Sequence, residues 1–277
     1  MAARQLENLS HNSIGLCEEL NSAVLIDNLQ LILRRIADAS KKAEQSPYWR
    51  GQKPSLVAVS KTKSASLIQC CYDAGQMKFG ENYIQELVDK AKVLKSKCPN
   101  IQWHFIGTIQ SNKVLFFLKI SNLKKMEKSQ QSIQDHWCNE DALNKKHSSI
   151  LEKEIAKHNR TLKVLIQVNT SKEKQKGGIT PEMAVELAEF IRVNCPSLEF
   201  GGFMTIGSFA HSVSEISNRD FIELFEVRKT FCELTKENEE DFELSMGMSD
   251  DFEAAIMLGS TSVRVGNAIF GPRLLKR

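Results

Sequence analysis

The side chains that could do chemistry in this sequence lie at the ends of short apolar runs. Lys61 closes the run LVAVSK, and a neutral lysine amine can attack an aldehyde and form an imine. A lysine beside a desolvating core loses part of its ordinary pKa of about 10.4, which makes the neutral amine available. Most lysines at strand ends are solvated, and we expect Lys63, which lies beyond the run, to face water. By residue type alone, Lys61 is one candidate nucleophile.

A second candidate group lies near the end of the chain. The segment TSVRVGNAIFG places Arg264 in an apolar run and Gly266 where the run turns toward a helix. An inward-facing arginine requires a partner such as a phosphate, a carboxylate or a ring nitrogen. Bare backbone N–H groups at such a turn can seat a phosphate, and a glycine allows its close approach. A glycine needed only for the turn explains position 266 equally well.

Two further candidates carry weaker signals. His104, in WHFIG, lies inside an apolar run, where a hydrogen-bonded core histidine and a functional histidine are equally good interpretations. Asn82 follows Gly80-Glu81 in a predicted turn, where asparagine is favoured for its own backbone bonding.

The elements that would position these residues alternate along the chain. Seven short apolar runs of strand character are separated by segments of helical periodicity, which indicates a parallel sheet. The runs span residues 55–61, 76–80, 101–107, 163–169, 199–207, 241–247 and 261–266. With one more strand, predicted at 122–127, they make a single (β/α)8 TIM-type barrel. The alternative is a doubly wound open sheet, but no glycine-rich turn follows the first run.

Helices are predicted between the strands, with one extra amphipathic helix over 23–43. The others cover residues 64–74, 84–95, 111–119, 139–157, 181–193, 220–235 and 250–257. Thr180, before Pro181, is predicted to cap one helix, and Ser249, before two acids, another. The domain boundaries follow: an N-terminal extension over 1–22 and the barrel over 23–277.

Composition excludes several classes of protein. The net charge of +3, from 37 basic and 34 acidic residues, is too balanced to predict nucleic-acid or membrane-surface binding. Seven cysteines without metal-ligand spacing indicate free thiols in a reducing compartment. No run approaches a membrane span and no signal peptide is visible, so the cytosol is expected, with mitochondrial entry left open. The scattered histidines predict no metal site.

Several motifs together resemble the pyridoxal phosphate homeostasis protein family. They are LVAVSKTK, FGENYIQEL, WHFIGTIQSNK, VLIQVNTS, GGFMTIGSF, ELSMGMSDDFEAAI and GSTSVRVGNAIFG. They occur in order over roughly 54–113 and 162–273. The resemblance implies a fold similar to the N-terminal domain of alanine racemase and the cofactor pyridoxal 5′-phosphate (PLP).

The resemblance also implies roles for individual residues. Lys61 matches the lysine that forms the Schiff base, and Arg264 matches the arginine beside the pyridine nitrogen. The phosphate would be held by Ser249, Gly266 and Asn267, with Ser245 nearby. The positions that match the pocket lining are Asn82, His104, Met204 and Met246.

The family is thought to bind PLP and deliver it to apo-enzymes without robust turnover. Racemases on this barrel use a tyrosine from a second domain, which we do not expect here, and we expect a monomer. The alternative is a weak PLP-dependent racemase or related enzyme, with Lys61 as base and His104 as its partner. A third hypothesis is a phosphosugar-type barrel that binds the phosphate of its ligand at Gly266 and forms no imine with an aldehyde. The sequence departs from the family over 115–160, which puts the fourth strand and one pocket wall in question.

Overall fold

A computed structural model describes residues 2–107, 134–137, 145–173, 177–208 and 218–272. The strands are β1 Ser55–Val59, β2 Lys78–Glu81, β3 Gln102–Phe105, β4 Gln134–Trp137, β5 Leu162–Gln167, β6 Leu198–Met204, β7 Glu243–Ser245 and β8 Ser262–Val265. The helices are α1 Ala2–Ala43, α2 Ala65–Asp73, α3 Ile84–Leu94, α4 Lys145–Ala156, α5 Pro181–Asn194, α6 Arg219–Thr235, α7 Phe252–Met257 and α8 Asn267–Phe270. A short 3₁₀ helix, Glu239–Asp241, precedes β7.

The strands close into a parallel barrel in chain order, β1 to β8. Closure is made by β1 and β8, which pair from Ser55 with Ser262 to Ala58 with Val265. Each of the seven predicted runs contains or overlaps a strand, and the predicted (β/α)8 barrel is confirmed. The open doubly wound sheet is excluded, because an open sheet has no pairing between its first and last strands.

The fourth strand lies later in the chain than predicted. β4, Gln134–Trp137, pairs with β3 on one side and β5 on the other. The predicted strand at 122–127 and the predicted helix at 111–119 lie outside the described residues. Sequence patterns do not identify this strand, because QDHW has no apolar alternation that would mark a strand.

Helix boundaries follow local chemistry at most predicted positions. Thr180 caps α5 as predicted, since its hydroxyl accepts from the Met183 N–H at 3.4 Å. The Ser249 cap was wrong: α7 begins at Phe252 with Asp251 at the cap position. The predicted helix over 23–43 is part of α1, which begins at Ala2. The predicted helix over 139–157 is α4 from Lys145, and residues 138–144 lie outside the described part.

The core lies between the barrel and its helices. An aromatic cluster of Phe200, Phe203, Phe231 and Phe242 joins β6, α6 and the segment before β7, with ring centroids 5.1–5.8 Å apart. Such packing fixes the strands rigidly, so the loops at their carboxyl ends start from defined positions. Within the described residues, no helix is long and apolar enough to cross a bilayer.

Candidate functional site

A cavity of ≈ 330 Å³ opens at the carboxyl ends of the barrel strands. It brings together six of the predicted site residues: Lys61, Asn82, Ser249, Arg264, Gly266 and Asn267. Apolar side chains complete the lining: Val59, Ile106, Ile206 and Met248. Lys63 and Asp250 also line it, so the cavity carries three basic side chains against one acidic side chain and favours an anionic ligand.

The turn that carries Lys61 follows β1 directly. The N–H of Ser60 donates to Gly80 O at 2.9 Å, which continues the sheet pairing. The chain then turns sharply, because the Lys63 N–H donates back to Ser60 O at 3.0 Å. Thr62 lies in the left-handed region, with φ 64°. Lys61 is therefore presented to the cavity from a tight turn.

Lys63 is half-buried, and its ammonium is not simply solvated as predicted. Its ammonium donates to the carbonyls of Phe270 and Pro272, each at 2.9 Å. It therefore ties the β1 turn to the end of α8. The acceptors are distant in sequence, so local position could not reveal this contact.

A buried ion cluster supports the β1 turn from behind. Lys90, on α3, contacts Glu81 and Glu86 at 2.6 Å each and donates to Ser60 O at 2.8 Å. Burial raises the pKa of the fully buried Glu81 carboxyl, an effect that the Lys90 ammonium opposes. Sequence reasoning noted Glu81 at a strand end but missed Lys90. The (i, i+4) spacing of Glu86 and Lys90 resembles an ordinary surface pair, and only the fold buries it.

Arg264, on β8, is buried in the cavity wall with 4% of its surface exposed. Its Nη1 donates to the Ser245 hydroxyl at 2.6 Å and its Nη2 donates to Thr205 O at 2.7 Å. The hydroxyl of Thr205 in turn bonds that of Thr170 at 2.9 Å. These two hydrogen bonds to uncharged oxygens fix the direction of the guanidinium in the cavity wall. Thr205 and Thr170 were missed as supports, because their contacts join separate strand ends.

The part of the cavity formed by the segments after β7 and β8 offers hydrogen-bond donors for an anion. Ser249 lies in the turn after β7, which is held by the Asp251 carboxylate accepting from the Met248 N–H at 2.6 Å. Gly266 precedes α8, and the first N–H groups of a helix have no acceptor within it. A Cβ at Gly266 would lie 3.1 Å from Val59 O, so the missing side chain serves close packing against β1.

The remaining predicted residues do not line this cavity. His104, Met204, Ser245 and Met246 are buried, and Ser245 reaches the site only through Arg264. Burial, together with Lys78 and Lys163, lowers the pKa of His104 to about 3. Its imidazole is therefore neutral near pH 7 and a weak proton acceptor. Asn82 does line the cavity, and within the described residues its Oδ1 is buried with no hydrogen-bond partner.

Comparison with known proteins gives one consistent family. The family model "Alanine racemase, N-terminal domain" matches residues 33–273. A pyridoxal phosphate homeostasis protein of Caenorhabditis elegans is 50% identical over 248 residues, covering 88% of this chain and 94% of that protein. The protein of the same name from Mus musculus is 45% identical over 223 residues, covering 79% of this chain and 77% of its own length.

Solved structures agree with the fold. PipY of Synechococcus elongatus, solved without PLP, is 25% identical, with a TM-score of 0.63 over 86% of this chain and 99% of that chain. The same protein solved with PLP bound is 24% identical, with a TM-score of 0.62 over 89% and 100%. This likeness supports the barrel and its strand order.

Proposed function

Because the chain belongs to the pyridoxal phosphate homeostasis protein family, whose fold is that of the alanine racemase N-terminal domain, we propose that it binds PLP in this cavity. In this proposal Lys61 holds the cofactor as a Schiff base, and the protein supplies PLP to apo-enzymes without robust turnover. The observation that carries the proposal is the convergence of an amine, a fixed cation and an anion seat in one cavity. The names of the relatives, at up to 50% identity, support the same cofactor.

The residues present fit PLP. A cavity of ≈ 330 Å³ is within the range of small-ligand sites, about 300–1,000 Å³. Its excess of basic side chains suits a phosphate, and the apolar lining suits an aromatic ring. The buried Oδ1 of Asn82, which has no partner in the described part of the chain, offers an acceptor to a donor on a ligand.

We assign a role to each side of the cavity. The Lys61 amine adds to the aldehyde carbon, and both of its N–H hydrogens leave with the carbonyl oxygen as one water. Ser249 and the N–H groups at Gly266 and Asn267 bind the phosphate. Arg264 donates to the pyridine nitrogen and keeps it unprotonated.

This arrangement favours holding the cofactor over turnover. Bound PLP supplies an electron sink for carbanion chemistry, and its ring is a poorer sink when the nitrogen is unprotonated. His104 is a weak base outside the cavity lining, so it does not suit the role of partner to Lys61 in a racemase. The monomeric state, the cytosolic location and the N-terminal extension stay predictions. A role of Met204 and Met246 in the pocket also stays a prediction, since both are buried and neither is among the residues that line the cavity.

Borohydride reduction followed by peptide mass mapping tests the proposal. We expect a phosphopyridoxyl group on Lys61 and none in Lys61→Ala, which should keep a weaker complex through the phosphate seat. Lys92→Ala, at an exposed position on α3, is the matched control and should label normally. No adduct at Lys61 after incubation with excess PLP would exclude the Schiff base.

Transfer to an apo-enzyme separates a carrier from an enzyme. We expect the loaded protein to activate an apo PLP-dependent enzyme in the presence of an amine that scavenges free PLP. Racemisation of a small amino acid that disappears in Lys61→Ala would instead favour the enzyme. Phosphosugar binding without labelling of Lys61 would favour a phosphosugar-type barrel.

A further inference from the structure

The ion cluster behind the β1 turn consists of Lys90, Glu81 and Glu86. The Lys90 ammonium makes three contacts, to one oxygen of each carboxylate at 2.6 Å and to Ser60 O at 2.8 Å. The Lys90 side chain is 7% exposed and that of Glu81 is 0% exposed. These residues are not among those that line the cavity. The cluster therefore acts on whatever the cavity binds indirectly, and its hydrogen bonds lead to the β1 turn.

The cluster is hydrogen-bonded to the residues directly before and after Lys61. Before it, the Ser60 carbonyl accepts from Lys90, and the Ser60 hydroxyl donates to Glu81 Oε1 at 2.6 Å. After it, the Thr62 N–H donates to Glu86 Oε1 at 2.6 Å. Thr62 has φ 64°, a conformation that a threonine adopts only when its surroundings hold it there. These bonds fix the peptide planes that set the direction of the Lys61 side chain.

Stability alone is a poor explanation for this cluster. Burying the Glu81 carboxylate and the Lys90 ammonium carries a desolvation cost, and well-packed apolar residues often stabilise a core at least as well. Burial raises the pKa of Glu81, the direction expected when a carboxylate loses its water. The hydrogen bonds of this network end on Ser60 and Thr62 and can fix the backbone on both sides of Lys61. An apolar cluster has no hydrogen bonds and could not orient the backbone in this way.

We propose that Lys90, with Glu81 and Glu86, is a positioning residue that holds the β1 turn so that the Lys61 amine points into the cavity. This inference rests on the proposed function, in which Lys61 forms the Schiff base. A fixed turn restricts the Lys61 amine before the aldehyde binds, and this reduces the entropic cost of forming the Schiff base. The hydrogen bonds of the cluster end on Ser60 and Thr62, whereas the proposed phosphate seat is formed by Ser249 and the backbone at Gly266 and Asn267, so we expect the seat to depend less on the cluster than the Lys61 amine does.

Lys90→Met tests the proposal, because methionine keeps the length of the side chain and removes the ammonium. We expect the rate and extent of borohydride-trapped phosphopyridoxyl-Lys61 to fall about tenfold, the effect of losing a bond to a charged donor. Binding of pyridoxine 5′-phosphate, which carries an alcohol in place of the aldehyde, should change less than about twofold. A merely structural role would weaken both ligands together.

Two further variants separate positioning from stability. The double variant Glu81→Gln/Lys90→Met removes the uncompensated carboxylate and should recover the unfolding midpoint, while labelling stays low because Ser60 O still lacks its donor. Lys163→Met is the matched control. It breaks another ion pair of the barrel, Lys163–Glu243 at 2.7 Å, and should leave labelling unchanged.

The outcomes are distinct. Absence of the Lys61 adduct in the wild-type protein overturns the proposed function and this inference with it. A normal wild-type adduct with equally fast labelling of folded Lys90→Met overturns the positioning role alone. Equal loss of labelling in Lys163→Met, or normal labelling in the double variant, also overturns it, since either shows that labelling follows barrel stability.

Discussion

At the scale of single residues, the site depends on cationic side chains whose directions are set by hydrogen bonds to hydroxyl and carbonyl oxygens. Arg264 donates to a hydroxyl and a carbonyl, and Lys63 donates to two carbonyls. Hydrogen bonds to uncharged oxygens orient each cation at the cavity, where an anion can meet it. Two predictions concern individual side chains of the barrel interior.

Arg264→Gln should weaken PLP retention about tenfold or more while the barrel stays folded. Glutamine removes the charge but can still replace one of the two hydrogen bonds, and a bond to a charged group contributes about 1.5–3 kcal/mol. Equilibrium dialysis of PLP measures the change. Arg50→Gln is the matched control, because Arg50 pairs with Glu239 and does not line the cavity. Unchanged PLP occupancy in Arg264→Gln would remove Arg264 from the site.

His104 predicts a pH dependence of stability. Its pKa falls from 6.5 to about 3 on folding, so between these values the unfolded chain binds the proton and the native protein does not. Above pH 6.5 His104 is neutral in both states and does not lower the free energy of unfolding. As pH falls from 6.5 toward 3, protonation of the unfolded chain lowers the free energy of unfolding progressively. The free energy of unfolding should drop by about 1.4 kcal/mol per pH unit from this group. Urea unfolding from pH 6 to pH 4 checks this, because His104→Gln should show a slope shallower by that amount.

At the scale of elements, the barrel depends on close approaches between strands. β5 and β6 shift register between Val164 and Leu165, and Gly202 follows this irregularity with φ 133°. A Cβ at Gly202 would lie 2.1 Å from Glu243 O on β7. Only glycine allows β6 and β7 to pair here, and β7 leads to the turn that carries Ser249.

Gly202→Ala should therefore destabilise the barrel strongly. We expect it to cost at least about 2 kcal/mol more than Gly75→Ala, because the alanine adds a backbone clash to the conformational strain. Gly75 is the matched control, since it also has positive φ, 98°, but nothing lies within 4 Å of its Cβ position. Chemical denaturation of both variants measures the difference. Equal costs would mean that β6 and β7 move apart easily.

At the scale of the whole molecule, α1 packs along the barrel beside the elements of the phosphate seat. Its buried residues include Leu29 and Ile32, and Asn28 Nδ2 donates to Ile269 O in α8 at 3.3 Å. Arg35 pairs with Glu253 in α7 at 2.7 Å. α1 thus supports the helices that follow β7 and β8.

Shortening a side chain on the buried face of α1 should lower the free energy of unfolding. Leu29→Ala should lower the free energy of unfolding by about 2–5 kcal/mol, the range for a buried leucine. Leu31→Ala is the matched control and should change it by less than about 0.5 kcal/mol, since Leu31 is 49% exposed. Thermal or urea unfolding measures both. Similar losses of stability in Leu29→Ala and Leu31→Ala would mean that α1 does not pack as an amphipathic helix with one buried face.

The sequence by itself determined the architecture and much of the cavity. Short apolar strands such as SLVAV alternate with amphipathic segments, and this pattern fits a closed parallel barrel. Lys61, Asn82, Arg264 and Gly266 could be located because parallel strands present their carboxyl ends on one face.

The tertiary structure decided what local patterns do not contain. β4 has no apolar alternation and is defined by its pairing with β3 and β5. Lys63 reaches carbonyls 207 and 209 residues away, and Lys90 becomes buried only because α3 packs behind the β1 turn. The physical reason is the range of the interactions. Periodicity and capping act over a few residues, whereas the burial of a charge and the partners of a cation depend on segments that meet only when the barrel closes.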